Sequence, residues 1–212
     1  MLNACLAFAA VAALVTLTPG LDVMLVLRTT VADGLRAGLL AGAGVVGGVL
    51  TWGLASAAGL TALLAASRFA FDVLRVAGAC YLLWLGGRAL WRVRRKAVGT
   101  ALADVSAKVP APSSGGRAAL RAGLVTNLLN PKVGVFYMSL LPQFIPAGAP
   151  VLWTSLLFSA IHAAEGLLWL AVVALAAGTA RTVLTRPAVR RRLEQVTGVV
   201  FIGFGVHLVT GR

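Results

Sequence analysis

The sequence predicts an all-α integral membrane protein of six transmembrane helices, arranged as two inverted repeats of three. Three observations lead there: a shortage of charge, six long apolar segments, and basic residues confined to alternate connections. Of the 212 residues, 59% are hydrophobic and only 12% charged, against about 25% charged in an ordinary soluble domain. So little polar surface cannot cover a water-soluble body, and lipid is the solvent that fits. A spanning helix takes about 20 apolar residues.

The segments are, in order, 2–27, 37–66, 69–90, 122–145, 151–180 and 193–210. The first has no basic residue ahead of it and is longer than a signal-peptide core, so it is read as a retained helix. The second and fifth are long enough to tilt, and the sixth is the shortest. Between the third and fourth lies a stretch with Arg94-Arg95-Lys96, Pro110-Ala111-Pro112 and Ser113-Ser114-Gly115-Gly116. That composition reads as a flexible basic loop. One domain, 1–212, is expected, with a first repeat at 1–92, a cytoplasmic linker at 93–120 and a second repeat at 121–212.

The net charge of +13 would suggest nucleic acid for a soluble chain. In a membrane chain it marks cytoplasmic loops, and no nucleic-acid partner is expected. Lys and Arg number 15 in the odd-numbered connections and 3 in the even ones and the C-terminus, with Lys132 inside a span. Both termini are thereby placed outside the cytoplasm.

Two short stretches suggest an internal repeat. Thr18-Pro19-Gly20 in the first segment corresponds to Asn130-Pro131-Lys132 in the fourth, and the glycine-rich run at Gly78 to that at Gly198. Three spans per repeat force the second copy upside down, as in secondary transporters whose site lies where broken helices meet. Proline removes a backbone donor and clashes with the carbonyl four residues back. Pro19 should free the carbonyl of Val15, and Pro131 that of Asn127. The alternative is a plain kink at each.

Ionisable residues within spans are costly and usually functional. Asp22 follows Pro19 by one turn, Lys132 follows Pro131, and Glu165 sits mid-way along the fifth segment with His162 one turn before it. Pro19, Asp22, Asn127, Asn130, Pro131 and Lys132 are the expected substrate-binding set. Asp22, Glu165 and His162 are the expected proton-coupling set. The bland alternatives are a structural ion pair for Asp22 and Lys132 and a packing hydrogen bond for Glu165 and His162. Thr16, Thr18 and Thr126 add hydroxyls, while Gly42, Gly44, Gly47 and Gly48 read as helix-packing positions. Neither a cofactor nor a metal is expected, and Cys5 and Cys80 show no metal spacing.

These residues resemble the lysine-exporter (LysE) superfamily, and within it the RhtB-type amino-acid exporters, over nearly the whole chain. Pro19-Gly20-Leu21-Asp22 is similar to the family's Pro-Gly-Pro-Asn/Asp signature, with Leu21 in place of the second proline and so a less rigid break. Gly34-Leu35-Arg36-Ala37-Gly38 resembles its Gly-x-x-x-Gly loop, and Gly78-Ala79-Cys80-Tyr81-Leu82-Leu83-Trp84-Leu85-Gly86 its aromatic third-helix motif. The most specific stretch runs from Gly123 to Lys132, followed by Leu141-Pro142-Gln143-Phe144. The resemblance implies export of amino acids or close analogues across the cytoplasmic (inner) membrane, driven by the proton-motive force, with amino acid, proton and lipid as partners. It implies no enzymatic activity. Efflux of another small solute or of a metal cation stays open, as does a thiol–disulfide electron carrier using Cys5 and Cys80, and a homo-oligomer is compatible with either.

Overall fold

A computed structural model describes residues 1–94, 115–177 and 186–210. Most of the basic linker, including the Arg95-Lys96 pair and Ser114, lies outside the described residues. Everything regular among the described residues is helical. In chain order the helices are α1 (Leu2–Leu17), α2 (Leu21–Asp33), α3 (Leu35–Ala66), α4 (Arg68–Arg94), α5 (Gly116–Leu128), α6 (Pro131–Val135), α7 (Val151–Leu175) and α8 (Pro187–Thr210). A turn of π-helix (Phe136–Leu140) and one of 3₁₀-helix (Leu141–Phe144) continue α6.

Helices α3 and α7 are long and apolar enough to cross a membrane. The pair α1 and α2 qualifies as one further span broken by a 51° bend. The bend has a local cause. Pro19 offers no N–H, so the helical ladder stops at Leu17 and restarts after Gly20, which is the N-cap of α2 in an extended conformation. Leu21 occupies the first position of α2, where a proline would be tolerated. Pro19 and Gly20 therefore hold the break without a second proline.

Helix α2 turns into α3 through a single residue. Gly34 adopts φ 87° there, a left-handed conformation that costs glycine little. Gly38 follows in the first turn of α3, where a Cβ would overlap the side chain of Thr30. The Gly-x-x-x-Gly stretch is thus a hairpin in which the first glycine supplies the turn and the second the clearance.

Helix α3 lies at the centre and packs along both α5 and α7, while α4 pairs with α8. Glycine makes both crossings close. A Cβ on Gly44 would strike the Leu120 carbonyl, and one on Gly123 the Ala41 carbonyl, so the α3–α5 contact is backbone against backbone from both sides. Gly86 and Gly198 face each other in the same way between α4 and α8. Of the four packing glycines expected in α3, Gly44 and Gly48 make such close approaches, Gly48 against the side chain of Asn127.

The surface is apolar along α7, and the largely apolar core also holds polar side chains. The interior holds Thr126, Asn127, Asn130, Ser155, Ser159 and His162, whereas Leu157, Leu168, Val172 and Leu175 stand exposed along α7. An apolar exterior over a partly polar core is what lipid selects, because lipid gives apolar side chains no reason to hide. One apolar cluster anchors α1 to α7: Phe8 stacks on Phe158 with ring centroids 4.6 Å apart and meets Phe144 edge-on at 5.5 Å.

Candidate functional site

Two helix breaks meet in the interior. At the first, α1 ends with the Thr18 hydroxyl hydrogen-bonded back to the Leu14 carbonyl at 2.6 Å. The same hydroxyl lies 2.6 Å from that of Thr197 in α8. At the second, α5 ends at Leu128 and α6 restarts at Pro131, where proline's missing donor costs nothing. Asn130 is the N-cap of α6, its side-chain oxygen accepting from the Lys132 backbone N–H at 3.1 Å.

The two breaks are cross-linked. The Lys132 ammonium, on the second break, donates to the carbonyls of Val15 and of Thr18, the latter at 3.0 Å, on the first. In return, Asp22 on the first break accepts from the side-chain amides of Asn127 and Asn130, both at 3.0 Å, on the second. Each charge thus lies on neutral groups of the opposite break. This differs from the direct Asp22–Lys132 ion pair that was the structural alternative. Asp22 also stands in the first turn of α2, where the helix dipole favours an anion.

The Val15 carbonyl is the one that Pro19 was expected to leave free, and Lys132 occupies it. The Asn127 carbonyl is not free. Its helix ends before Pro131, and the Asn130 N–H turns back onto it at 3.0 Å. The Asn130 N–H thus replaces the donor that Pro131 lacks.

Between the breaks lies a cavity of about 40 Å³, enough for a few water molecules. Asp22, Asn127, Asn130, Lys132 and His162 reach it, and its remaining wall includes Val15, Val23, Val45, Val49, Val133 and Leu170. Hydrogen-bonding capacity is left over around it. Asp22 Oδ1, Asn127 Oδ1, Thr16 Oγ1 and Trp169 Nε1 have no partner among the described residues. Lys132 has three ammonium donors and two partners.

Of the residues singled out in the sequence, Asp22, Asn127, Asn130, Lys132 and His162 converge on this cavity. Pro19 and Pro131 shape it by position without lining it. Glu165 does not line it. It is only half-buried, and its Oε2 has no partner among the described residues. His162 instead joins Tyr137, with Nδ1 and the phenol oxygen 3.3 Å apart and the rings stacked at 5.7 Å. His162 thus lines the cavity and Glu165 does not. Tyr137 and Trp169 were not anticipated. Trp169 could have been, since His162, Gly166 and Trp169 follow the helical i, i+4, i+7 spacing, whereas Tyr137 is turned inward by a π-helical turn with no sequence signature.

Among the described residues no group of three or more His, Cys, Asp or Glu could hold a metal ion. Cys5 and Cys80 are both free thiols.

The model of the family described as LysE type translocator matches residues 13–212. The chain is similar to a leucine efflux protein of Klebsiella pneumoniae, 33% identical over 94% of this chain and 91% of the relative. It is also similar to a threonine efflux protein of Escherichia coli K12, 28% identical over 92% of each. A membrane protein of Bacillus subtilis, YrhP, is 24% identical over 97% of this chain and 98% of its own. No solved structure matches.

Proposed function

The chain belongs to the LysE type translocators, and from that premise we propose that it exports neutral amino acids from the cytoplasm by alternating access, driven by the proton-motive force. The observation that carries this reading is the cross-linked pair of helix breaks around a small cavity with unused donors and acceptors. A zwitterion presents one anion and one cation, and the cavity has an idle partner for each. The substrate carboxylate would take the third donor of Lys132. The substrate ammonium would take Asp22 Oδ1 and Asn127 Oδ1. The valine and leucine wall then suits an aliphatic side chain, in keeping with the leucine efflux protein among the relatives.

The proposed layout is six spans in two inverted repeats. The first broken span, α1 with α2, corresponds to the second, α5 with α6 and the turns after it. Helices α3, α4, α7 and α8 supply the rest, and both termini lie outside the cytoplasm. Rocking one repeat against the other would separate the breaks and open the cavity to either side. A proton arriving from outside would neutralise Asp22 or Glu165. Neutral Asp22 would hold the Asn127 and Asn130 amides less firmly, which biases the two facing states, and only such a differential affinity can drive the shift.

The test is efflux from proteoliposomes loaded with single amino acids, with and without an acidic exterior. Faster release of leucine, valine or threonine under the gradient supports the proposal. Absence of movement of every amino acid tried overturns it.

A further inference from the structure

We infer that the Lys132 ammonium is a built-in substitute for a bound monovalent cation, so that the protein works without Na⁺ or K⁺ and gains a cation site when that side chain is removed. The inference deepens the reading of this cavity as the transport centre, but its test involves no amino acid.

The argument starts from Pro19. Pro19 has no N–H to give the Val15 carbonyl, and Thr18, the C-cap of α1, is extended, so neither carbonyl has a partner within the helix. They also lie at the negative end of the α1 dipole. Within a membrane protein such carbonyls need a partner. Unwound carbonyls at the C-terminal end of a half-helix are where secondary transporters coordinate a coupling cation. Here the partner is part of the chain. Lys132 reaches across from α6 and places its ammonium on both oxygens. A primary ammonium and a small monovalent cation make the same demand: one positive charge and several oxygen ligands at short range. Thr16 Oγ1 and Asp22 Oδ1, both without partners among the described residues, belong to residues that line the same cavity.

Truncating Lys132 therefore leaves two carbonyls facing a vacated position, in a cavity that a hydroxyl-bearing and a carboxylate-bearing residue also line. Those are hard oxygen donors, suited to an alkali ion or a small alkylammonium. Choline, whose charge is shielded by methyl groups, cannot approach them.

The experiment compares thermal unfolding of the purified full-length protein and its Lys132→Ala and Lys132→Gln variants at fixed pH and ionic strength. The salts are the chlorides of sodium, potassium, methylammonium and choline. The wild-type Tm is expected to be the same in all four. Lys132→Ala should have a lower Tm in choline and recover by several degrees, saturably, in methylammonium or sodium. Lys132→Gln, which supplies donors without charge, should not match the wild type in choline. The inference is overturned by a Lys132→Ala Tm that ignores the cation, by a wild type that responds equally, or by a Lys132→Gln variant as stable as the wild type in choline. Failure to recover Lys132→Ala in any of the salts also overturns it, because the tether rather than the charge would then be essential.

Discussion

The ammonium of Lys132 donates to the carbonyl of Val15, 117 residues earlier in the chain. That contact joins a backbone group left over by one proline to a side chain placed by another. Together with the Asp22 hydrogen bonds to Asn127 and Asn130, it makes the two breaks a single unit. Separating them exposes two charges at once.

Asp22→Asn keeps the size of the side chain and an oxygen that can still accept from both amides, but it removes the charge and replaces the unpartnered acceptor Oδ1 with a donor. Leaving a buried polar group unsatisfied costs roughly 1–3 kcal/mol. Export is expected to fall at least about tenfold, since 1.4 kcal/mol is a factor of about ten, with insertion into the membrane retained. Lys132→Met should do the same. Normal efflux by both variants would move the centre elsewhere.

Asn130→Ala removes two things, the hydrogen bond to Asp22 and the cap of α6. Loss of an N-cap alone costs about 1 kcal/mol. Asn127→Ala removes the hydrogen bond to Asp22 and packing against Gly48 but no helix cap. Both should reduce export, but Asn130→Ala should lower the Tm more, as thermal unfolding in detergent would show.

Gly44→Ala and Gly123→Ala should each destabilise the protein by about 1–3 kcal/mol, the usual cost of overpacking, because the new Cβ meets a backbone carbonyl that cannot rotate away. Gly59→Ala and Gly87→Ala, where nothing lies within 4 Å, serve as controls and should leave the Tm unchanged or slightly raised. Equal effects in both pairs would refute the close α3–α5 crossing.

Glu165→Gln separates proton coupling from substrate binding, because Glu165 lies outside the cavity that His162 and Asp22 line. Export driven by an acidic exterior should be lost, while exchange between equal internal and external pools continues. Full retention of gradient-driven export would make Glu165 structural and leave Asp22 as the coupling carboxylate.

Orientation is tested with Ser114→Cys in the basic linker. The 15-to-3 asymmetry of Lys and Arg predicts that an impermeant thiol reagent labels it only after the cells are permeabilised. Labelling of intact cells would reverse the topology.

The sequence by itself determined where the helices break, and it placed the important polar residues beside those breaks. A proline lacks an N–H wherever it stands, so Thr18-Pro19-Gly20 and Asn130-Pro131 mark chain positions by rules that act over a few residues. The cost of charge in lipid likewise singles out Asp22 and Lys132 without reference to any neighbour. Only the tertiary structure decided which group each charge meets. The spacings from Asp22 to Asn127 and from Val15 to Lys132 exceed 100 residues, and no local periodicity encodes them. The sequence could suggest that two opposite charges pair. In the folded chain each instead lies against the opposite break, in a bundle where Gly44 and Gly123 bring α3 close to α5. Asn127 joined Asp22 in the centre, whereas Glu165 is absent from the cavity lining although the three-residue spacing puts it on the same side of α7 as His162. Helix breaks are local chemistry, whereas the partner of a buried charge depends on how whole helices cross.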